Sequence, residues 1–154
     1  MQTLFKMALT LVFVLTAATI AWGESALEKE VIAQCQAASK LIQEQGIDAG
    51  IAAVGEKNGP FVSKDSYVFL MDMDAKMLAH PFAPEMTQRD DLLQVADKAG
   101  KPFFVEFIKV ANASGQGWVD YMWPKPNEDK PASKSSYILR VPGTQYFVGA
   151  GIYK

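Results

Sequence analysis

Apolar positions in the first part of this chain recur at helical spacing, and later they alternate at strand spacing. Leu27, Val31, Cys35, Ala38 and Ile42 follow one another at intervals of 4, 4, 3 and 4, which puts them on one stripe of an amphipathic helix. Gly46 is a usual stop for such a helix. Ile47 to Val54 reads as a short second helical piece, and Gly55 to Pro60 as a loop of turn formers.

The period then changes. Tyr67, Phe69, Met71 and Met73 alternate with Val68, Leu70 and Asp72, the pattern of a strand buried on much of both faces. Asp72 to Lys76 supplies a hairpin connection, and Met77 to His80 returns as the partner strand until Pro81 stops it. Asp90 to Ala99 is expected to form a helix opened by acidic residues and closed by Gly100. A further helix is expected with Pro102 in its first turn, running through Phe103, Phe104, Phe107, Ile108 and Ala111. Three strands finish the chain, over Gly117–Trp123, Ser135–Val141 and Tyr146–Tyr153, with Pro142-Gly143 as a tight turn that pairs the last two. A long helix, then strands, helices and a terminal antiparallel meander make an α+β layout.

The first 23 residues form a different class of segment. Lys6 is a short cationic region and Met7 to Ala21 is apolar and uncharged, as in a secretory signal peptide. Small residues favour cleavage after Gly23, with Ala21 as the alternative; a retained anchor is disfavoured because the stretch is short of the ~20 residues that span a bilayer. Removal leaves one domain, Glu24–Lys154, in which 14 basic and 17 acidic residues give a formal charge of −3. A domain of that size builds a core without disulfides, in keeping with a single cysteine in an exported protein. The mild acidity and scattered basic residues argue against nucleic acid as a partner. Cys35 is either an unpaired thiol available for an intermolecular bridge or part of the core; its place on the apolar stripe favours the core.

Candidate chemistry is sparse. His80 is the one histidine, no Gly-x-Ser-x-Gly elbow exists, and Cys35 is remote in sequence, so no catalytic constellation is expected. Asp72, Asp74 and His80 could touch a cation, but the Asp-x-Asp reads as a solvated turn and no metal or other cofactor is expected. Gly115-Gln-Gly lacks the Lys-Ser/Thr of a phosphate loop and leads into a strand. What stands out is an aromatic and cationic group on the strands. Val119, Tyr121 and Trp123 share one face of their strand, while Trp118, Asp120 and Met122 share the other. Lys134 can supply a charge to a carboxylate, Tyr121 and Tyr137 hydroxyl donors, His80 a ring N–H, and Trp118 or Trp123 an apolar wall. The same rings also serve as ordinary core with wet polar tips. For Trp123 and Tyr153 packing is the preferred role.

Taken together, Asn58-Gly-Pro-Phe61, Tyr67-Val-Phe69, Ala79-His80-Pro81, Gly117-Trp-Val-Asp-Tyr121, Lys134-Ser-Ser-Tyr137 and Gly149-Ala-Gly-Ile-Tyr153 resemble the single Cache domain family over nearly all of the chain after residue 23. The resemblance implies a long N-terminal helix packed on a PAS-like central antiparallel sheet with short helices on one side. It implies an extracytoplasmic sensor that cradles a small ligand, often an organic acid such as acetate, propionate, pyruvate or lactate. Carried onto this chain, the pocket takes Tyr67, His80, Trp118, Tyr121, Lys134 and Tyr137. Two departures matter. Ala75 stands in the first hairpin turn where many relatives have glycine, and the chain stops at Lys154 with neither a second membrane segment nor a signalling module, so it is expected either to dock with its ligand onto a partner, a membrane receptor or sensor kinase, or to act alone by buffering and delivering a metabolite. A ligand-free module that docks on an envelope protein is the alternative function, and a hydrolase or redox enzyme using His80 a third.

Overall fold

The computed structural model describes residues 25–64 and 66–154. The expected signal segment, residues 1–23, lies outside the described residues.

Helix α1 (Ala26–Gln45) starts where Ser25 and Glu28 cap each other: the Ser25 hydroxyl accepts from the Glu28 N–H at 3.2 Å, and Glu28 Oε2 accepts from the Ser25 N–H at 2.6 Å. Its buried stripe is Val31, Cys35, Ala38, Ser39 and Ile42. Leu27 extends that stripe in sequence but is 43 % exposed, lining an open cleft with Ile152 and Tyr153. Gly46, at φ 88°, turns the chain into helix α2 (Ile47–Gly55). The side chain of Ile42 fills the space that a Cβ on Gly50 would need, so the two helices lie in direct contact.

Strands β1 (Val68–Asp72) and β2 (Met77–Ala79) form the expected hairpin. Asp72 Oδ1 holds its turn by accepting from the N–H groups of Asp74 at 3.0 Å and Lys76 at 2.8 Å. Ala75 takes φ 67° there, the left-handed conformation that glycine adopts more readily. Helix α3 (Phe103–Ala113) follows Pro102, which serves as its cap residue. Strands β3 (Gln116–Pro124), β4 (Pro131–Arg140) and β5 (Tyr146–Tyr153) complete one antiparallel sheet of order β2-β1-β5-β4-β3. The fourth strand begins four residues earlier than expected.

The expected helix over Asp90–Ala99 does not form. That stretch holds one 3-10 turn, Leu92–Gln94, and then a loop organised by Asp97. Asp97 Oδ1 accepts from the N–H groups of Ala99 and Lys101, both at 2.9 Å, and Oδ2 from that of Met122 at 2.9 Å. An aspartate that satisfies the following N–H groups itself competes with the helical pattern, and here it also ties the loop to β3.

The sheet is buried on both faces. One packs against α1 and α2 through Val68, Leu70, Tyr137, Val148 and Ala150. The other packs against α3 through Phe69, Met71, Tyr121, Ile138 and Phe147. Cys35 is fully buried on the α1 side, where its Sγ lies 3.7 Å from the carbonyl oxygen of Tyr137, and burial pushes its thiol pKa far up. The thiol is core, as its stripe position suggests.

A buried lysine chamber on the face of the sheet

Lys134 lies towards the start of β4, with Tyr121 of β3 and Tyr153 of β5 as its cross-strand partners. Two residues along β4, on the same face, Ser136 pairs with Val119 and Gly151. A Cβ on Gly151 would meet Ser136 Oγ, and it would lie 2.8 Å from Lys134 Cε. The missing side chain at residue 151 is therefore what lets the lysine stem lie along the sheet.

Lys134 is 0 % exposed, and its Nζ has no hydrogen-bond partner among the described residues. It lies 3.9 Å from the centre of the Tyr67 ring and 4.9 Å from that of Tyr153. Two π faces favour the ammonium by ~2 kcal/mol when desolvated, whereas leaving water costs an ion several kcal/mol. Desolvation wins, and burial holds the Lys134 pKa well below the usual lysine range.

The groups around it are held in defined states. His80 Nδ1 accepts from the N–H groups of Phe82 at 3.2 Å and Ala83 at 2.9 Å, which leaves the ring proton on Nε2. Burial first, and the nearby Lys134 second, lower the His80 pKa to about 3, so the ring is a neutral donor. The Tyr153 hydroxyl donates to the Pro124 carbonyl at 2.7 Å, so in its 3.4 Å contact with the Tyr67 hydroxyl it is Tyr67 that donates. The Tyr121 hydroxyl is 3.0 Å from Ser136 Oγ. Burial raises the pKa values of Tyr67 and Tyr121, and that of Tyr153 to about 12, so all three keep their protons. A small void of about 10 Å³ lies between His80, Phe103, Tyr121 and Trp123, large enough for about one water. Larger clefts of about 410 and 480 Å³ open on either side of Tyr67, under the loop carrying Lys125, Pro126 and Asn127.

A Cache domain family model matches residues 30–154. The chain belongs to the Cache domain family. Over 89 residues, 58% of the chain, it is 34% identical to the methyl-accepting chemotaxis protein McpP of Pseudomonas putida, of which that match covers 16%. Over 90 residues it is 31% identical to the sensor histidine kinase MctS of Rhizobium johnstonii, covering 19% of that protein. The chain thus spans less than a fifth of the length of these relatives. A solved periplasmic sensor domain of a chemotaxis protein superposes with TM-score 0.66 at 27% identity, covering 83% of this chain and 90% of that one. A Cache chemosensory domain solved to explain carboxylic acid recognition shares the fold, with TM-score 0.70 at 24% identity over 83% of this chain and 93% of that one. Cache domains of chemotaxis receptors and sensor kinases are sensing modules that bind small ligands.

This Cache domain brings Tyr67, His80, Tyr121 and Lys134 together. Trp118 and Tyr137 are on the opposite face, against α1, with their rings 5.4 Å apart and the Tyr137 hydroxyl donating to Gln116 Oε1 at 2.8 Å. Strand alternation separates them: residues 134 and 136 face one way, and residue 137 the other. Trp123 and Tyr153 complete the chamber in their place, Trp123 with its ring 6.2 Å from His80. Their even spacing from Tyr121 and from Gly151 was the available signal. Among the described residues no three His, Cys, Asp or Glu side chains come together as metal ligands, and no helix is long and apolar enough to cross a membrane.

Proposed function

We propose that this Cache domain is a periplasmic sensor that binds a short-chain carboxylate non-covalently at Lys134, and that it passes the signal to a membrane receptor or sensor kinase. The observation that carries the reading is the buried Lys134 Nζ, which has no hydrogen-bond partner among the described residues. A buried unpartnered donor is costly, and a carboxylate is the group that relieves it through a charge-assisted hydrogen bond. His80 Nε2–H and the Tyr67 hydroxyl, both beside Lys134, are donors for the same oxygens. Trp123 and Phe103 supply an apolar wall for a short carbon skeleton. The carboxylic acid recognition described for the solved Cache chemosensory domain supports the same ligand class.

Entry requires the Tyr67–Tyr153 hydroxyl contact to part. At 3.4 Å this is a weak bond, and the clefts beside it give the rings room to turn. Export through residues 1–23 belongs to the same proposal. A thermal-shift screen of the protein against C2 to C6 carboxylates tests it, since a ligand at ~100 times its dissociation constant adds about 2.7 kcal/mol of stability. A carboxylate shift that vanishes in Lys134→Ala is the expected result. Absence of any shift, in protein purified without a bound ligand, would overturn the reading in favour of a ligand-free docking module.

A further inference from the structure

We propose that Lys134 also captures carbonyl groups: with a small 2-oxo acid its amine forms a reversible imine at the carbon next to the carboxylate. The carboxylate half of this inference rests on the function proposed above; the bond-forming half rests on the surroundings of the amine.

A nucleophilic amine needs a free lone pair. Lys134 Nζ is fully buried, and no donor among the described residues occupies that pair. The groups beside it are ring faces, that of Tyr67 with its centre at 3.9 Å and that of Tyr153 at 4.9 Å. Such faces attract N–H bonds weakly and leave the nitrogen lone pair unused. Burial acts in the same direction, since it favours the uncharged amine over the ammonium. A lysine desolvated among apolar groups is activated for Schiff-base formation with carbonyl compounds.

The neighbours leave the amine free for this task. His80 Nε2–H and the Tyr67 hydroxyl, on rings whose centres are 5.0 Å apart, are two donors for the two carboxylate oxygens. Acetate offers the amine nothing but those oxygens to pair with. A 2-oxo acid offers an electrophilic carbon one bond further on.

The step is balanced without any oxidant or reductant. Nζ adds to the carbonyl carbon, and the π electron pair of the C=O bond moves to oxygen. The two amine hydrogens pass to that oxygen and leave with it as water, so that a C=N bond replaces C=O. The Tyr67 hydroxyl, on the ring that Nζ faces, passes one of these protons across and regains its own. The void of about 10 Å³ between His80, Phe103, Tyr121 and Trp123 has room for about one water, the size of the product. Hydrolysis by the reverse path returns the ligand unchanged.

The test treats the protein with sodium pyruvate and sodium cyanoborohydride at neutral pH, which reduces any imine to a stable secondary amine, and reads the product by intact mass and peptide mapping. One adduct on Lys134 is expected, saturating with pyruvate, diminished by competing acetate and absent from Lys134→Met. It should exceed labelling of the exposed Lys40 and Lys109 by about tenfold or more, as a free amine does against hydrated ammonium groups. Labelling spread evenly over these lysines, or none at Lys134, would overturn the proposal, and mapping of the wild type alone shows it whatever the stability of the variant. Melting temperatures with each acid separate the two claims. If pyruvate and acetate both raise the transition and no adduct is trapped, the carboxylate function stands and the imine falls. If the adduct forms while acetate neither competes nor stabilises, the imine stands and the carboxylate function falls.

Discussion

The Nζ of Lys134 sits 3.9 Å from the centre of the Tyr67 ring, with no oxygen of the described residues to receive its protons. A group in that position destabilises the empty protein and is stabilised by an anionic ligand. Binding and folding therefore make opposite demands on one residue.

Lys134→Met keeps most of the stem's volume and removes the amine. The expected outcome is a ligand-free protein more stable by about 1–3 kcal/mol, a rise of several degrees in Tm, together with loss of the carboxylate-dependent shift. Differential scanning calorimetry with and without carboxylate reads both. A variant that melts lower than wild type without ligand would show that the amine is satisfied where it lies.

Binding should also take up a proton. Burial holds the ligand-free amine well below the usual lysine range, and a bound carboxylate raises it again. The groups packed against it are the neutral ring of His80 and the protonated hydroxyls of Tyr67, Tyr121 and Tyr153, so no carboxylate among the described residues supplies the charge in advance. The complex then holds more protons than the free protein, and affinity falls as pH rises above the free-state value, by up to about tenfold per unit. Calorimetric titrations in two buffers of unlike ionisation enthalpy give the proton number. A value near one is expected; zero would mean that the lysine is already charged.

His80 sets a separate acid limit. Its folded pKa of about 3 lies below the ordinary 6.5, so the unfolded chain binds a proton that the folded one does not. Stability from this group is complete above the ordinary value and is lost as pH falls through the window between 6.5 and 3. Between pH 6.5 and 5, before most carboxylates titrate, the loss is about 1.5 kcal/mol. His80→Gln, whose Oε1 can accept the same backbone N–H groups, should flatten the slope of urea midpoint against pH in that range. An unchanged slope would assign the acid sensitivity elsewhere.

At Gly151 the constraint is space. An added Cβ would stand 2.7 Å from the Ser135 carbonyl oxygen and 2.8 Å from Lys134 Cε, with Ser136 Oγ closer still. Backbone cannot retreat cheaply, so Gly151→Ala should cost about 1–3 kcal/mol and weaken carboxylate binding by displacing the lysine. Gly55→Ala is the control, because the nearest atom there, Ala79 Cβ, is 4.0 Å away. Equal melting temperatures for the two variants would refute the packing argument.

Periodicity carried most of the fold. The α1 stripe, the first hairpin, α3 and the three final strands all sit where alternation or helical spacing put them, because burial on one face or two leaves a period in the sequence. The stretch from Asp90 to Ala99 did not, since Asp97 acts through its side chain on three N–H groups, one of them 25 residues away on β3. Four of the six candidate pocket residues converge, and the exclusion of the other two was visible in the sequence: Trp118 is three residues from Tyr121 on one strand and Tyr137 three from Lys134 on the next. Trp118 and Tyr137 have the opposite parity. What could not be read was the register, Tyr121 opposite Lys134 opposite Tyr153, which arises from strand order and brings Tyr153 into the chamber.

That same parity makes β4 a shared partition. Lys134 projects from it into the lysine chamber, while three residues on Tyr137 projects the other way, and its carbonyl oxygen lies 3.7 Å from the Cys35 Sγ of α1. On the binding proposed above, an adjustment of β4 at Lys134 would meet the long helix across one thickness of sheet, so the expected route from occupancy to readout is crosswise and does not run the length of the fold.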